Sequence, residues 1–230
     1  MSFFVAALAW IVDPAHWPGP GGIGGRLVEH LWYSLLAVLL AGVVALPLGL
    51  WIGHTGRGRA VAIGLSGALR ALPSLGLLTF LAVAMGVGID GVLLPSTIVL
   101  AVLAVPPILA GAYAGVEAID PDVVDGARAV GMSERQIVTG VEMPLAAPMI
   151  LGGIRSATLQ VIATATIAAY LGLGGLGRLI LDGLPVRDYP RMLAGAILVT
   201  VLALLVDGLL TLLQRRLTAA SVRASIGTDR

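Results

Sequence analysis

Few residues in this chain have side chains that could bind a metal or carry out chemistry. The histidines, His16, His30 and His54, are scattered, there is no cysteine, and all 14 basic residues are arginine. This spacing does not match a metal-binding cluster, so we expect no metal centre. A P-loop requires a lysine, which the chain lacks. We therefore expect no cofactor here, and any ATP would have to be hydrolysed by another subunit.

One glycine pattern has the spacing of a nucleotide-binding motif. Gly172, Gly174 and Gly177 fit G-x-G-x-x-G. A dinucleotide site needs a strand before these glycines and a βαβ unit around them, but here a long apolar segment precedes them. We interpret 170–190 as a flexible loop.

The elements that carry these residues are predicted from hydropathy. The chain is 58% hydrophobic and only 12% charged, about half the charged share of a soluble domain. A helix crossing the membrane needs about 20 mostly apolar residues, and the long apolar runs lack the alternation of barrel strands. We predict an all-α integral membrane protein with about five spanning helices, near 28–53, 60–86, 92–115, 144–169 and 191–213.

The orientation follows from the arginine count. Placing the N-terminus outside puts eight arginines on the cytoplasmic side and four outside, which agrees with the positive-inside rule. The cytoplasmic ones are Arg57, Arg59, Arg128, Arg135, Arg215, Arg216, Arg223 and Arg230, and the external ones are Arg26, Arg178, Arg187 and Arg191. We divide the chain into a lead-in at 1–26, a membrane domain at 27–214 and a cytoplasmic tail at 215–230.

The cytoplasmic segment at 117–144 carries clear helix-capping signals. Asp120 can cap a helix with Pro121 at its first position, and Gly131 can end that helix with a positive φ. Ser133 and Gln136 form a capping box for a second short helix. The predicted product is a compact helix–glycine–helix hairpin, which suits docking into a groove on a soluble partner.

This segment resembles the signature loop of ABC importer permeases. That loop has an acidic residue, two small residues, a glycine four positions later, and an Ile-x-Leu-Pro ending. The matching residues here are Asp125, Gly126, Ala127, Gly131, Val141, Met143 and Pro144. Spacing agrees throughout, with four conservative departures: Asp for Glu, Gly for Ala, Val for Ile and Met for Leu.

Segments elsewhere in the chain are similar to the osmoprotectant branch of these permeases, whose importers carry glycine betaine or choline. They read EHLWYSLLAVLLAGVVALPLGL, ALRALPSLGLLTFLAV and ATATIAAYLGLGGLG. The resemblance implies a type I, methionine-importer-like permease fold in the bacterial plasma membrane. It also implies a second permease chain, ABC ATPase subunits that bind ATP and Mg²⁺, and an extracytoplasmic solute-binding protein. We expect lipid contact and no nucleic-acid partner.

Other residues are candidates for the translocation path or its gate, because charges within spans are costly and usually face a cavity or a partner. They are Arg70, Pro73, Arg155, Tyr170, Gly172 and Gly174. Arg70 could instead extend its guanidinium to the membrane surface, and Asp207 is expected to pair with an arginine.

Three alternatives remain at this point. The cargo could be an amino acid, a sulfonate or another small solute. A secondary carrier would work without an ATPase, but it would more often show intramembrane acids or inverted repeats. A structural membrane protein would leave the capped hairpin unexplained.

Overall fold

The computed structural model describes residues 3–88 and 91–226, and all regular structure in these ranges is helical. The remaining residues belong to the predicted lead-in, the predicted external segment at 86–91 and the predicted tail, and lie outside the described residues. The helices are α1 (Phe3–Val12), α2 (Ile23–Thr55), α3 (Arg59–Ala71), α4 (Ser74–Ala84), α5 (Leu93–Glu117), α6 (Pro121–Ala129), α7 (Glu134–Ile137), α8 (Met143–Ala168), α9 (Gly177–Gly183) and α10 (Tyr189–Ile226).

Four of the described helical segments are long and apolar enough to cross a membrane, and the broken pair α3–α4 makes a fifth if it is counted as one span. The predicted count of about five is therefore confirmed. The predicted span over 60–86 is present as a broken pair, because α3 ends at Ala71 and α4 begins at Ser74. Pro73 explains the break: it lies in extended conformation (ψ 111°), and its ring disfavours helix at the preceding residue.

Two predicted boundaries also differ from the structure. Helix α2 begins at Ile23, so the boundary at residue 26 falls inside a helix. The last helix, predicted to end near 213, continues to Ile226, so the predicted tail begins as helix. Apolar periodicity marks the part of a helix that needs lipid or protein contact, and it does not mark where a polar extension of that helix ends.

The chain divides into two compact units, and α2, α5, α8 and α10 each contribute one part to each unit. Unit 1 contains Met1–Leu39, Leu72–Leu103 and Thr158–Val206. It holds the lead-in, the predicted external loop at 170–190 and two apolar clusters. One cluster is centred on Ile23, Ile162, Leu176 and Leu179, and the other on Leu78, Val99, Leu103 and Leu173.

Unit 2 contains Leu40–Ala71, Ala104–Ala157 and Asp207–Arg230. All segments that the arginine count assigns to the cytoplasm fall in it. Its core consists of Ala112, Val116, Ala146 and Ile150. These small and β-branched residues let α2, α5 and α8 approach one another closely.

Glycines set the closest approaches within unit 2. A Cβ on Gly111 of α5 would lie 2.7 Å from the Met149 carbonyl oxygen and 2.9 Å from the Gly153 Cα, both on α8. A Cβ on Gly49 or Gly53 of α2 would likewise be too close to α5. Small residues four positions apart, such as Gly49 and Gly53, therefore let helices of the same chain pack closely against each other.

We predict that Gly111→Ala destabilises the protein by about 1–3 kcal/mol, because the new methyl meets backbone atoms that cannot rotate away. Gly208→Ala on α10 is the matched control, since a Cβ there meets nothing within 4 Å. Tryptophan fluorescence during thermal unfolding in detergent measures both variants. Equal melting temperatures for the two would contradict the packing role of Gly111.

Candidate functional site

The segment at 117–144 lies within unit 2 and folds as its caps predict. Asp120 Oδ1 accepts a hydrogen bond from the Asp122 backbone N–H at 3.0 Å, and Pro121 is the first residue of α6. This contact satisfies one of the free N–H groups at the start of the helix, and the carboxylate also favours the positive end of the helix dipole. The start of α6 is therefore defined by local side chains.

The end of α6 is a complete Schellman motif. Gly131 has φ +86°, its N–H donates to the Arg128 carbonyl at 2.9 Å, and the Met132 N–H donates to the Ala127 carbonyl at 3.2 Å. Only glycine takes this φ without a steric penalty. The predicted role of Gly131 as a helix end is confirmed, and Ala127 takes part through its carbonyl oxygen.

The second half of the hairpin leads directly into the next span. The Ser133 backbone N–H donates to Gln136 Oε1 at 2.8 Å, which confirms the predicted capping box. Helix α7 is followed by a π-helical turn, Val138–Glu142, and α8 starts at Met143. Val141 is half-buried in this turn, whereas Met143 and Pro144 are exposed. Such π turns inside helices often occur at functional positions.

Arg128 joins the two short helices across the glycine turn. Its Nη1 donates to Asp125 Oδ1 at 3.0 Å, while Nε and Nη2 donate to the two oxygens of Glu134 at 3.0 and 3.1 Å. The Glu134 hydrogen bond, followed by that of Asp125, raises the pKa of the Arg128 guanidinium above its usual range. The sequence alone predicts only that Arg128 is a cytoplasmic charge.

The hairpin is also attached to the C-terminal end of α2 through a histidine. His54 Nε2 lies 3.0 Å from Glu134 Oε2, and His54 Nδ1 lies 2.9 Å from both oxygens of Glu142. Glu142 is only 3% exposed. This contact is not predicted from sequence, because His54 and Glu142 are 88 positions apart and leave no local signal.

The outer face of α6 is uncovered. None of its residues is buried, the side chain of Asp125 is 70% exposed, and a Cβ on Gly126 would meet nothing within 4 Å. Val123 of α6 and Val130, which caps the C-terminal end of α6, are 46% and 79% exposed. A rigid helix with apolar residues facing outward has the properties of a docking element.

The glycine-rich loop of unit 1 is a separate structure. Gly172 has φ +99° and ends a 3₁₀ turn, Ala169–Leu171, that follows α8. The Gly175 N–H donates to Glu29 Oε2 at 2.7 Å, and Glu29 also pairs with Arg26 at 2.9 Å. A helix precedes these glycines, so they belong to a turn between two helices and not to a dinucleotide-binding loop. The Glu29 carboxylate holds this turn through the Gly175 N–H.

Close approach explains the glycines of this turn. A Cβ on Gly174 would overlap the Glu29 carboxylate, and a Cβ on Gly175 would lie 3.0 Å from His30 Nδ1. Gly175 also has φ +85°, although sequence analysis did not select it. Tyr170, a predicted gate residue, is 63% exposed.

The structure divides the predicted path residues between the two units. Arg70 lies in the last turn of α3 in unit 2 and is exposed, whereas Pro73 lies before α4 in unit 1. Arg155 of α8 makes a two-point ion pair with Asp207 of α10, with N–O distances of 2.5 and 2.7 Å. The pairing expected for Asp207 is therefore observed, and its partner is Arg155.

Comparison with known proteins identifies the family. The model of the family described as "Binding-protein-dependent transport system inner membrane component" matches residues 45–219. The chain belongs to this family. It is therefore an inner-membrane transport component and not an enzyme, as the signature loop predicts. Membership also implies partners: ATPase subunits, a second permease and a binding protein.

Three relatives resemble the permease over most of their length. It is 36% identical to the choline transport system permease protein OpuBB of Bacillus subtilis over 204 residues, 87% of this chain and 92% of that one. It is 38% identical to the carnitine transport permease protein OpuCB of Listeria monocytogenes over 195 residues, 85% and 88% of the two chains. It is 32% identical to the osmoprotectant import permease protein OsmW of Salmonella typhimurium over 208 residues, 88% and 95%.

The fold is shared with solved importers. A structure of the MetNI methionine ABC transporter in an inward-facing conformation matches with a TM-score of 0.73 at 20% identity, covering 85% of this chain and 95% of that one. The predicted methionine-importer-like type I fold is thus confirmed. Because the identity is low, this likeness concerns fold and not cargo.

We predict opposite effects for alanine at Gly126 and at Gly131 of the hairpin. Gly131→Ala destabilises it by about 1–2 kcal/mol, since a Cβ disfavours positive φ. Gly126→Ala stabilises α6 by up to about 1 kcal/mol, because the position is helical and open. Hydrogen–deuterium exchange of residues 120–142 should become faster in the first variant and slower in the second. Faster exchange in both would argue against the Schellman motif.

We also predict that Arg155 and Asp207 act as one structural pair. Asp207→Leu leaves an unpaired guanidinium within a spanning helix and lowers the stability of the permease, because a charge there needs a partner. The double variant Arg155→Met/Asp207→Leu removes both charges and recovers most of the loss. The stability of the single and double variants is measured by the yield of monodisperse protein in detergent and by its melting temperature. A double variant no better than the single one would show that Arg155 has a role outside the pair.

Proposed function

We propose that the permease forms the transmembrane path of an ATP-driven importer for quaternary ammonium osmoprotectants such as choline, glycine betaine and carnitine. The identity of 36% to a choline permease, over 92% of that protein's length, carries this proposal. The relatives that transport carnitine and osmoprotectants support the same class of cargo. ATP and Mg²⁺ would be bound by separate ATPase subunits.

The uncovered face of α6 supports a coupling role for the hairpin at 117–144. We assign it to the ATPase groove, with Val123 and Val130 as apolar contacts and Asp125 as a charged one. The Schellman end and the Arg128 contacts hold α6 and α7 together, so the hairpin would move as one body. Closure of the ATPase subunits would then displace a rigid element and not merely bend a loop.

The break between α3 and α4 supports a path along this part of the chain. Backbone that leaves the helix at membrane depth must find polar partners in protein or water, because lipid offers none. Pro73 creates such a break, and the exposed Arg70 lies three residues before it. We therefore retain both residues as candidates for the path, lined in the complex by the second permease. Tyr170, Gly172 and Gly174 remain the candidate outer gate.

High affinity for the cargo would come from the separate binding protein. A quaternary ammonium group is usually held by several aromatic rings that surround it. The ring contacts described in this structure are the pairs Phe3 with Tyr189 and Trp10 with His16. Two isolated pairs do not enclose a cation, so the permease would offer a low-affinity passage.

The test is uptake in cells that lack the gene, with the gene restored as wild type or as a variant. Labelled choline, glycine betaine and carnitine are compared with labelled methionine and proline. We expect ATP-dependent uptake of at least one quaternary ammonium solute and none of methionine. Amino-acid uptake alone, with the permease present in the membrane beside its ATPase, would overturn the cargo assignment.

A variant of the hairpin tests whether the hairpin couples ATP hydrolysis to uptake. Gly131→Val should lower uptake at least about tenfold at normal expression, because a β-branched residue strains the positive φ of the hairpin. Gly126→Ala, five residues earlier, is expected to keep uptake within about twofold of wild type, because α6 has room for a methyl there. Normal uptake by Gly131→Val would show that the positive φ at Gly131 is not needed for coupling.

A further inference from the structure

We infer that His54 is a positioning residue for energy coupling: it fastens the coupling hairpin to the end of α2, so that displacement of the hairpin is passed to this spanning helix. The inference rests on the proposed function, since it assumes that an ATPase moves the hairpin. It assigns a role to a residue outside the signature segment, 63 residues before the start of that segment at Glu117.

The geometry shows a bridge between three elements of unit 2. His54 lies in the last turn of α2, Glu134 is the first residue of α7, and Glu142 ends the π turn before α8. One ring nitrogen faces each carboxylate, at 3.0 Å for Glu134 and 2.9 Å for Glu142. The imidazole therefore contacts the hairpin at both ends of its second half.

The hydrogen-bonding chemistry requires a donor on each side of the ring. An ionised carboxylate only accepts, so each ring nitrogen must carry a hydrogen to complete its contact. Both contacts are therefore complete when both ring nitrogens carry a hydrogen. Arg128, which holds Glu134 from the opposite side, and Arg135, which lies beside His54 and Glu134, are the other charged groups here.

Acidic side chains thus alternate with Arg128 and His54 from the docking helix to the span. The order is Asp125, Arg128, Glu134, His54, Glu142, with direct contacts of 2.9–3.1 Å between neighbours. Asp125 is on the exposed face of α6, and Glu142 is buried. The Arg128 contacts are charge-assisted, and such contacts are stronger and more directional than neutral hydrogen bonds. The chain is a continuous mechanical connection between the surface offered to the ATPase and α2.

The surroundings make these polar contacts important. A groove of about 410 Å³ lies beside them, lined on α2 by Pro47, Leu50 and Trp51 and on the hairpin side by Val138 and Thr139. The groove shows that the apolar side chains of α2 are not closely packed against the hairpin here. The His54 contacts therefore join the end of α2 to the hairpin. The same end of α2 packs tightly on α5 at Gly53, so its movement would pass to α5 as well.

Isosteric replacements separate the two contacts of the ring. In His54→Asn, the side-chain N–H₂ of the new amide takes the place of Nδ1 and keeps a donor for Glu142. In His54→Gln, the longer side chain carries its N–H₂ to the place of Nε2 and keeps a donor for Glu134. Glu142→Gln removes the buried charge itself. Glu117→Gln is the matched control at the other end of the hairpin, where Glu117 pairs loosely with Arg59 at 3.6 Å.

The experiment uses the complete transporter in proteoliposomes, with its ATPase, its binding protein and labelled choline or glycine betaine. The measured quantity is solute imported per ATP hydrolysed, for each assembled complex. We expect His54→Gln and Glu142→Gln to lower this ratio at least about fivefold while ATP hydrolysis persists. His54→Asn should be less impaired, and Glu117→Gln should stay within about twofold.

A purely structural role gives a different result. In that case the variants reduce the amount of assembled complex, and the ratio per complex equals that of wild type; this outcome overturns the inference. An equal fall in Glu117→Gln would overturn it too, because the effect would not be specific to the His54 contacts. Absence of transport by the wild-type complex would instead count against the proposed function, so the two failures are distinguishable.

Discussion

Lipid cannot hydrogen-bond the backbone, and this constraint governs the whole structure. Every N–H and C=O group at membrane depth needs a partner within the protein, so the chain forms long helices and places its irregular segments where other partners exist. The turn at 170–177 shows the principle, because the Glu29 carboxylate accepts the Gly175 N–H that no helix satisfies. Where Pro73 interrupts the helix, the Pro73 carbonyl accepts the Leu77 N–H and starts α4 at once.

Helices in lipid gain little from apolar burial against one another, since the alternative contact is equally apolar. Close packing and polar contacts must therefore hold them together. In unit 2 the close packing comes from Gly49, Gly53, Gly111 and Gly153, where helix backbones meet. The polar contacts come from the Arg155–Asp207 pair and from Gln214, whose amide donates to the Pro148 carbonyl at 2.7 Å. Both kinds of contact join α8 to its neighbours, and α8 is the span that directly follows the coupling hairpin.

Local signals were readable from sequence, and distant contacts were not. The Asp120 cap, the Gly131 helix end and the Ser133–Gln136 capping box depend on residues within a few positions of each other, so their spacing predicted them. The contacts of His54 with Glu142 and of Glu29 with Gly175 join residues 88 and 146 positions apart. Hydropathy located the spans, including 60–86, but an apolar run alone does not show that this span divides into two helices at Pro73. The continuation of α10 to Ile226 was missed for the opposite reason, since polar residues can extend a helix beyond the lipid.

Coupling in such a machine requires that some parts stay rigid while others move. The hairpin is built for rigidity: its caps satisfy the free backbone groups of α6 and α7, and Arg128 holds the two short helices at a fixed angle. A rigid hairpin transmits force only through its attachments, which are the covalent connections to α5 and α8, the packing of the fully buried Ile137 and the polar contacts to α2. If the hairpin were attached only through its covalent connections to α5 and α8, its displacement would not be passed directly to α2. The buried Glu142 carboxylate makes separation of the hairpin from α2 costly, because it would lose its ring partner in a place that water reaches poorly. The same contact that stabilises the resting hairpin thereby obliges α2 to move with it.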